Sequence, residues 1–231
     1  MSPRYRWLLF DADGTLFDFA RAETSALART FAQFDLPLAP DTADIYRRIN
    51  QQCWQALERA ELTPERLPTR RFELLFAAEG IAANAEAFSA AYLANLAQSA
   101  YLLDGVIEML AALRDRYRFA IITNGLALVQ HGRLARSAIR DDIAALTISE
   151  EVGSAKPAPG IFDAAFASMG DPAKAEVLMI GDGLTSDIQG ALDYGIDACW
   201  FNPGLLSQPG SLPITYEISR LDELIELLGK D

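Results

Sequence analysis

The chain is short of the side chains that most often carry metal, redox or nucleophilic chemistry: its 231 residues include one histidine and two cysteines. His131 stands alone, between Gln130 and Gly132. One imidazole supplies neither a histidine nucleophile with its partner nor a zinc cluster, so it reads as a surface or half-buried helix residue. Cys53 and Cys199 lie far apart in apolar contexts, which suits buried thiols in a reducing cytoplasm better than a disulfide. No Gly-x-x-x-x-Gly-Lys-Ser/Thr loop is present to cradle a triphosphate. Positive charge is scarce: 20 Lys and Arg face 32 Asp and Glu, a net charge of −12, which argues against a nucleic-acid polymer or an anionic membrane as partner. No apolar run is long enough for a bilayer, and no signal-type segment opens the chain. A cytoplasmic monomer or homodimer acting on a small molecule is expected. If that molecule is anionic, its site needs a metal or locally placed Lys and Arg.

Half of the residues are hydrophobic (51%), enough for a sizeable core. The first apolar run, Trp7-Leu8-Leu9-Phe10, is too short for a helix and reads as a strand buried on both faces. It ends in Asp11-Ala12-Asp13-Gly14-Thr15. Positions two apart in an extended chain point to the same side, so Asp11 and Asp13 can share one pocket, and Gly14 lets the chain turn away. Residues 17–99 then read as helical throughout, rich in Ala, Leu, Glu and Arg. Asp41 is placed to cap a helix through Ile45, Ile49, Trp54 and Leu57, and Thr63-Pro64-Glu65 to start another. After residue 100 strands and helices alternate, with Asp104 as a helix cap and strands at 119–122, 144–148, 177–180 and 198–201. An edge strand near 214–218 and a last helix at 221–228 follow. Such alternation predicts an α/β fold: a Rossmann-like, doubly wound parallel sheet (1–16 and 100–231) with an all-helical insert (17–99) after the first strand.

Polar residues gather at the carboxyl ends of the apolar strands. Asp11 and Asp13 follow the first, Thr123-Asn124-Gly125 the second and Asp182 and Asp187 the fourth, while Lys156 lies a short loop after the third. In an open parallel sheet those ends form one ligand crevice. Clustered carboxylates stay ionised together only around a cation, and oxygen-only ligands beside phosphate point to Mg²⁺. Thr123, the amides of Asn124 and Gly125, and Lys156 are donors suited to phosphate oxygens. One carboxylate is left free to attack phosphorus.

Asp11-x-Asp13-Gly14-Thr15, Thr123-Asn124-Gly125, Lys156-Pro157 and Gly181-Asp182 with Asp187 resemble, in order and spacing, the four motifs of the haloacid dehalogenase superfamily of phosphohydrolases. The helical insert resembles that superfamily's type 1 cap. Residues 121–125, 148–153, 177–182, 186–188 and 199–202, with Asn50, Trp54 and Arg71-Phe72-Glu73 in the cap, resemble a bacterial pyrimidine-nucleoside 5'-monophosphatase subgroup. The resemblance implies Asp11 as nucleophile and metal ligand. Asp13 becomes general acid and base, giving the metal a backbone carbonyl. Asp182 becomes the third ligand, and Asp187 holds metal-bound water or orients Lys156. Thr123, Asn124, Gly125 and Lys156 take the phosphate, and the pKa values of Asp11 and Asp13 must be pushed apart. Cap residues Asn50, Trp54 and Arg71 become candidates for substrate choice. Each also has a plainer role: Trp54 in the cap core, Asn50 capping a turn, and one of Arg70 and Arg71 in solvent. The implied enzyme is a Mg²⁺-dependent phosphomonoester hydrolase working through an aspartyl-phosphate, a nucleoside 5'-monophosphatase preferring pyrimidines. A sugar-phosphate phosphatase or a phosphomutase shares these motifs, and a non-catalytic phosphate sensor is the alternative from another class. A dehalogenase has no use for Asp13 as an acid.

Overall fold

The computed structural model describes residues 4–59, 61–207, 210 and 212–229. The chain divides into two compact units, Met1–Phe19 with Ala100–Asp231, and Ala20–Ser99. Strand β1 (Trp7–Phe10) precedes helices α1 (Phe19–Gln33), α2 (Thr42–Glu58), α3 (Leu67–Glu79) and α4 (Ala85–Ala97). There follow α5 (Val106–Leu113), β2 (Arg118–Thr123), α6 (Ala127–Arg136), β3 (Ile143–Ile148), α7 (Ser149–Val152), α8 (Pro159–Met169) and β4 (Val177–Gly181). A π-helical segment, Leu184–Gln189, leads into α9 (Gly190–Tyr194), then β5 (Asp197–Phe201), β6 (Tyr216–Ile218) and α10 (Glu223–Leu228).

Among the described residues six strands form one sheet, all parallel, in the order β3-β2-β1-β4-β5-β6. Alternate side chains of each strand enter opposite cores. Leu8, Phe10, Phe119, Ile121, Leu178 and Ile180 pack with α5 and α10. Trp7, Leu9, Ala120, Ile122, Val177 and Met179 pack with α8 and α9. Burial on both faces is why these strands are continuously apolar. The chain moves outward from β1 to β3 and then returns to β4 on the other side of β1. The direction of winding therefore reverses between β1 and β4, which is where an open α/β sheet binds its ligand.

The helical unit is built on aromatic rings: Phe31, Phe72, Phe76, Phe88, Tyr46 and Tyr92 meet at centroid distances of 5.0–6.4 Å. Several local signals fall differently from expectation. Asp41 precedes α2, but its side chain makes no capping bond. The cap of α5 is Gly105, at φ +85°, one residue after Asp104. Helix α3 starts at Leu67 with Pro68 in its first turn, beyond the Thr63-Pro64 signal. Asp41 and Asp104 are helix-start residue types, yet the hydrogen bond, and not the residue type, makes a cap.

Phe162 of α8 is fully buried, and its ring stacks on Tyr194 at 5.1 Å. Phe162→Ala is expected to destabilise the protein by about 3–5 kcal/mol, read by urea denaturation with an unchanged slope. A loss below about 1 kcal/mol would contradict this packing.

Candidate active site

β1 delivers Asp11 to the switch point, and the Asp11 N–H donates to the Ile180 carbonyl of β4 at 2.8 Å. The backbone then coils tightly: Leu16 and Phe17 donate to the Ala12 carbonyl, and Gly14 donates to Phe17. Gly14 has φ +87°, and a Cβ there would stand 2.5 Å from Asp182 Oδ2, so only glycine fits on both counts.

Lys156 is buried beside Asp11. Its Nζ donates to Asp11 Oδ1 at 2.5 Å, to Asp187 Oδ1 at 2.7 Å and to the Ile122 carbonyl at 3.0 Å. An ammonium has three donors, and all three are used. Burial alone would lower the Lys156 pKa, but the two carboxylates outweigh it and the pKa is raised. The Asp187 Oδ2 accepts from the Gly183 N–H at 2.8 Å. Burial pushes Asp11 well above the usual carboxylate range, the Lys156 charge opposes that shift, and Asp187 and Asp182 add to it. Asp182 is partly open to solvent, yet desolvation, followed by repulsion from Asp187, lifts it to about 6.

Asp11, Asp182 and Asp187 offer carboxylate oxygens within 4.8 Å of one another. Three carboxylates against one ammonium leave this cluster short of positive charge, and their mutual repulsion adds to the desolvation that raises the pKa values of Asp11 and Asp182. A hard divalent cation fits that donor set.

Asp13 is not part of the acidic cluster. Gln130 Nε2 donates to its Oδ2 at 2.7 Å and Arg133 Nη1 donates to its Oδ1. Neither partner was expected from the sequence, because a polar residue at helical spacing carries no mark of the side it faces. In the structure they are the buried side of α6, while Leu128 is exposed. Their spacing of three, just after Thr123-Asn124-Gly125, was the available signal.

The second strand end is arranged differently from expectation. Asn124 does not aim its side chain at a ligand: Oδ1 accepts from the Lys156 N–H at 2.8 Å and Nδ2 donates to the Lys156 carbonyl at 2.9 Å. This two-way bond ties the β2 end to the Lys156 loop. The Gly125 N–H donates to Thr123 Oγ1 at 3.1 Å. The buried Thr123 hydroxyl keeps its proton to give. His131 pairs with Glu151 at 2.7 Å on the surface, as the plain reading of it expected.

In the helical unit Asn50 and Arg71 are both buried and in contact, Arg71 Nη1 donating to Asn50 Oδ1 at 3.1 Å. Asn50 Nδ2 donates in turn to Glu23 Oε2 at 3.3 Å, and Arg47 pairs with the other Glu23 oxygen at 3.3 Å. Glu23 was not anticipated. Arg71 also lies 5.0–6.0 Å from the ring centroids of Tyr46, Phe72 and Tyr92. The solvated arginine is Arg70, paired with Glu73. Trp54 is half-buried. Arg59 follows Cys53 at the six-residue spacing of cysteine-based phosphatases, but Cys53 sits within α2, with no loop to hold a phosphate, and burial raises its thiol pKa. Cys199 is likewise a free buried thiol, pushed up to about 12.

Lys156→Met removes the cation from two buried carboxylates, and breaking a buried pair from one side costs about 3–5 kcal/mol. Urea denaturation in EDTA at neutral pH is the measurement. Because Asp11 has a raised pKa in the fold, the folded state binds more protons than the unfolded one as pH falls, so the variant should regain part of its loss in mild acid. A variant as stable as wild type at neutral pH would contradict the assignment of Lys156 as the compensating charge.

Comparison with known proteins agrees with this architecture. The chain is 35% identical over 227 residues to pyrimidine 5'-nucleotidase YjjG of Escherichia coli (strain K12), covering 98% of this chain and 99% of that one. It is 33% identical over 228 residues to pyrimidine 5'-nucleotidase PynA of Streptococcus pneumoniae (strain ATCC BAA-255 / R6), covering 98% and 96%. The crystal structure of YfnB from Bacillus subtilis bound to magnesium, 34% identical, matches with a TM-score of 0.91 over 97% of this chain and 99% of that chain. The family model for haloacid dehalogenase-like hydrolases spans residues 5–195, from the strand that carries Asp11 to the glycine that ends α9, and the chain belongs to that family.

Proposed function

We propose that the protein is a Mg²⁺-dependent phosphomonoester hydrolase whose substrates are nucleoside 5'-monophosphates, pyrimidines preferred. What carries this reading is the division of labour between two carboxylates two residues apart. Asp11 sits among Asp182, Asp187 and Lys156, whereas Asp13 sits apart from them with Gln130 and Arg133. Two environments for two acids suit two roles. The pyrimidine 5'-nucleotidases YjjG and PynA match over nearly their whole length and support the choice of substrate.

Asp11, Asp182 and the backbone carbonyl of Asp13 would hold Mg²⁺, which supplies charge to the phosphoryl oxygens and lets Asp11 stay ionised. The Asp11 carboxylate attacks phosphorus, and the bond to the nucleoside oxygen breaks as Asp13 protonates that oxygen. Water, losing its proton to Asp13, then releases phosphate and regenerates Asp11. Thr123 donates to the phosphate from its hydroxyl, Asn124 is left with its backbone N–H for that task, and the Gly125 N–H joins only by exchanging its bond to Thr123 Oγ1. Lys156 must exchange one present bond to reach it. Asp187 orients Lys156. The free, buried cysteines suit a reducing compartment, and we assign the enzyme to the cytoplasm as a monomer or homodimer.

The groups at the strand ends meet only phosphate and metal, which every candidate substrate shares. Substrate choice is therefore assigned to the helical unit (Ala20–Ser99), the family's type 1 cap, around Asn50, Trp54 and Arg71. Mg²⁺-dependent phosphate release should be compared among uridine, deoxyuridine and purine monophosphates, sugar phosphates and p-nitrophenyl phosphate. Wild type is expected to favour the pyrimidine nucleotides. Trp54→Ala and Asn50→Ala should lower kcat/KM for those by about 1–3 kcal/mol and leave p-nitrophenyl phosphate nearly unchanged. Equal losses on both would make these residues packing, and a wild type preferring sugar phosphates would overturn the pyrimidine assignment.

A further inference from the structure

Helix α6 turns a polar face inward. Gln130 and Arg133, three residues apart and so on one side of the helix, are 2% and 0% exposed. Between them they occupy both oxygens of Asp13. The arrangement is costly in two ways. A Cβ on residue 125 would lie 2.1 Å from Gln130 Nε2, so the path of Gln130 to Asp13 requires Gly125. Arg133 Nε and Nη2 are buried with no hydrogen-bond partner. The guanidinium instead lies 5.1 Å from the ring centroid of Phe17 and 5.7 Å from that of Phe19, and ring faces replace only part of what two N–H bonds would contribute. An apolar side chain would fill this place with less penalty. A buried cation that is incompletely satisfied, and whose hydrogen bond among the described residues is to Asp13, points to a role in what Asp13 does.

We propose that Gln130 and Arg133 are positioning residues that clamp the Asp13 carboxylate in one orientation for the water-activating half of the reaction. The proposal rests on the reading of Asp13 as general acid and base. In the first half-reaction Asp13 gives its proton to the leaving oxygen as the Asp11–phosphorus bond forms. In the second, water oxygen bonds to phosphorus, its proton goes to Asp13, and the electron pair of the breaking phosphorus–oxygen bond returns to Asp11. A carboxylate with both oxygens held faces that water in a fixed pose. One free to rotate faces it only part of the time.

The p-nitrophenyl ester separates the halves, because its leaving group departs without a proton. Arg133→Met and Gln130→Leu should keep first-turnover release of p-nitrophenolate within about threefold of wild type, while steady-state kcat falls about 10- to 100-fold, the scale of a misplaced catalytic group, and KM falls with it so that kcat/KM is little changed. A burst should therefore appear in stopped flow. Arg133→Lys, which keeps the charge and can still donate to Asp13, should recover part of the loss. Gln130→Leu keeps the test readable if Arg133→Met does not fold. Equal losses in the first turnover and the steady state, or wild-type turnover in both variants, would overturn the clamp. Asp13→Asn is run beside them. If it too lacks a selective loss in the steady state, the acid–base reading itself is wrong. If it shows that loss and the clamp variants do not, only the clamp fails.

Discussion

Lys156 Nζ, held by Asp11, Asp187 and the Ile122 carbonyl, is buried where water cannot screen it. Much of the core unit is arranged to put it there. The ends of β1, β2 and β4 come level because these strands pair in parallel register, Phe10 with Ile121 and with Ile180. Asn124 grips the Lys156 backbone from both sides. Gly181 and Gly183 leave room for Asp187, whose Oδ2 would otherwise meet a Cβ at 2.5 Å and 2.8 Å. Low dielectric makes such a contact strong when complete and damaging when broken, so the glycines, the amide and the strand register act as one unit.

The parallel sheet and its carboxyl-end crevice were legible in the sequence because they follow from strong, redundant signals. Buried parallel strands are apolar throughout, and Asp11, Thr123, Lys156 and Asp182 each follow one. Helix faces were less legible. In α2 the expected apolar line Ile45, Ile49 and Trp54 is half-buried, while the fully buried line is Tyr46, Asn50 and Cys53, displaced by one residue and including an amide. In α6 the buried face carries Gln130 and Arg133, and the apolar Leu128 lies outside. Periodicity assigns polar residues outward, so it fails where a helix lends its inner face to a site. Side-chain roles at a strand end were also hidden. Thr123-Asn124-Gly125 reads as a row of phosphate donors, yet the Asn124 side chain is a brace between loops, which only the fold brings together.

The two acids of Asp11-x-Asp13 illustrate how the backbone assigns chemistry. Adjacent alternate positions on an extended strand would share one environment, but the coil imposed by Gly14 separates them. Asp11 stays with the acids of β4 and the ammonium, and Asp13 goes to an arginine and an amide from α6. A hydrolase that uses one carboxylate to bond phosphorus and another to move protons needs that separation.

The central claim is that Asp11 bonds phosphorus. It is tested most directly by acid-quenching the Mg²⁺-loaded enzyme during turnover and locating the phosphoryl group by peptide mass spectrometry. Asp13→Asn, turning over p-nitrophenyl phosphate, whose leaving group needs no proton, is used to let the intermediate accumulate. The expected result is phosphate on Asp11 in the peptide from Trp7 to Phe17, and none in an Asp11→Asn enzyme. Phosphate on another residue such as His131, or turnover persisting in Asp11→Asn, would contradict the account.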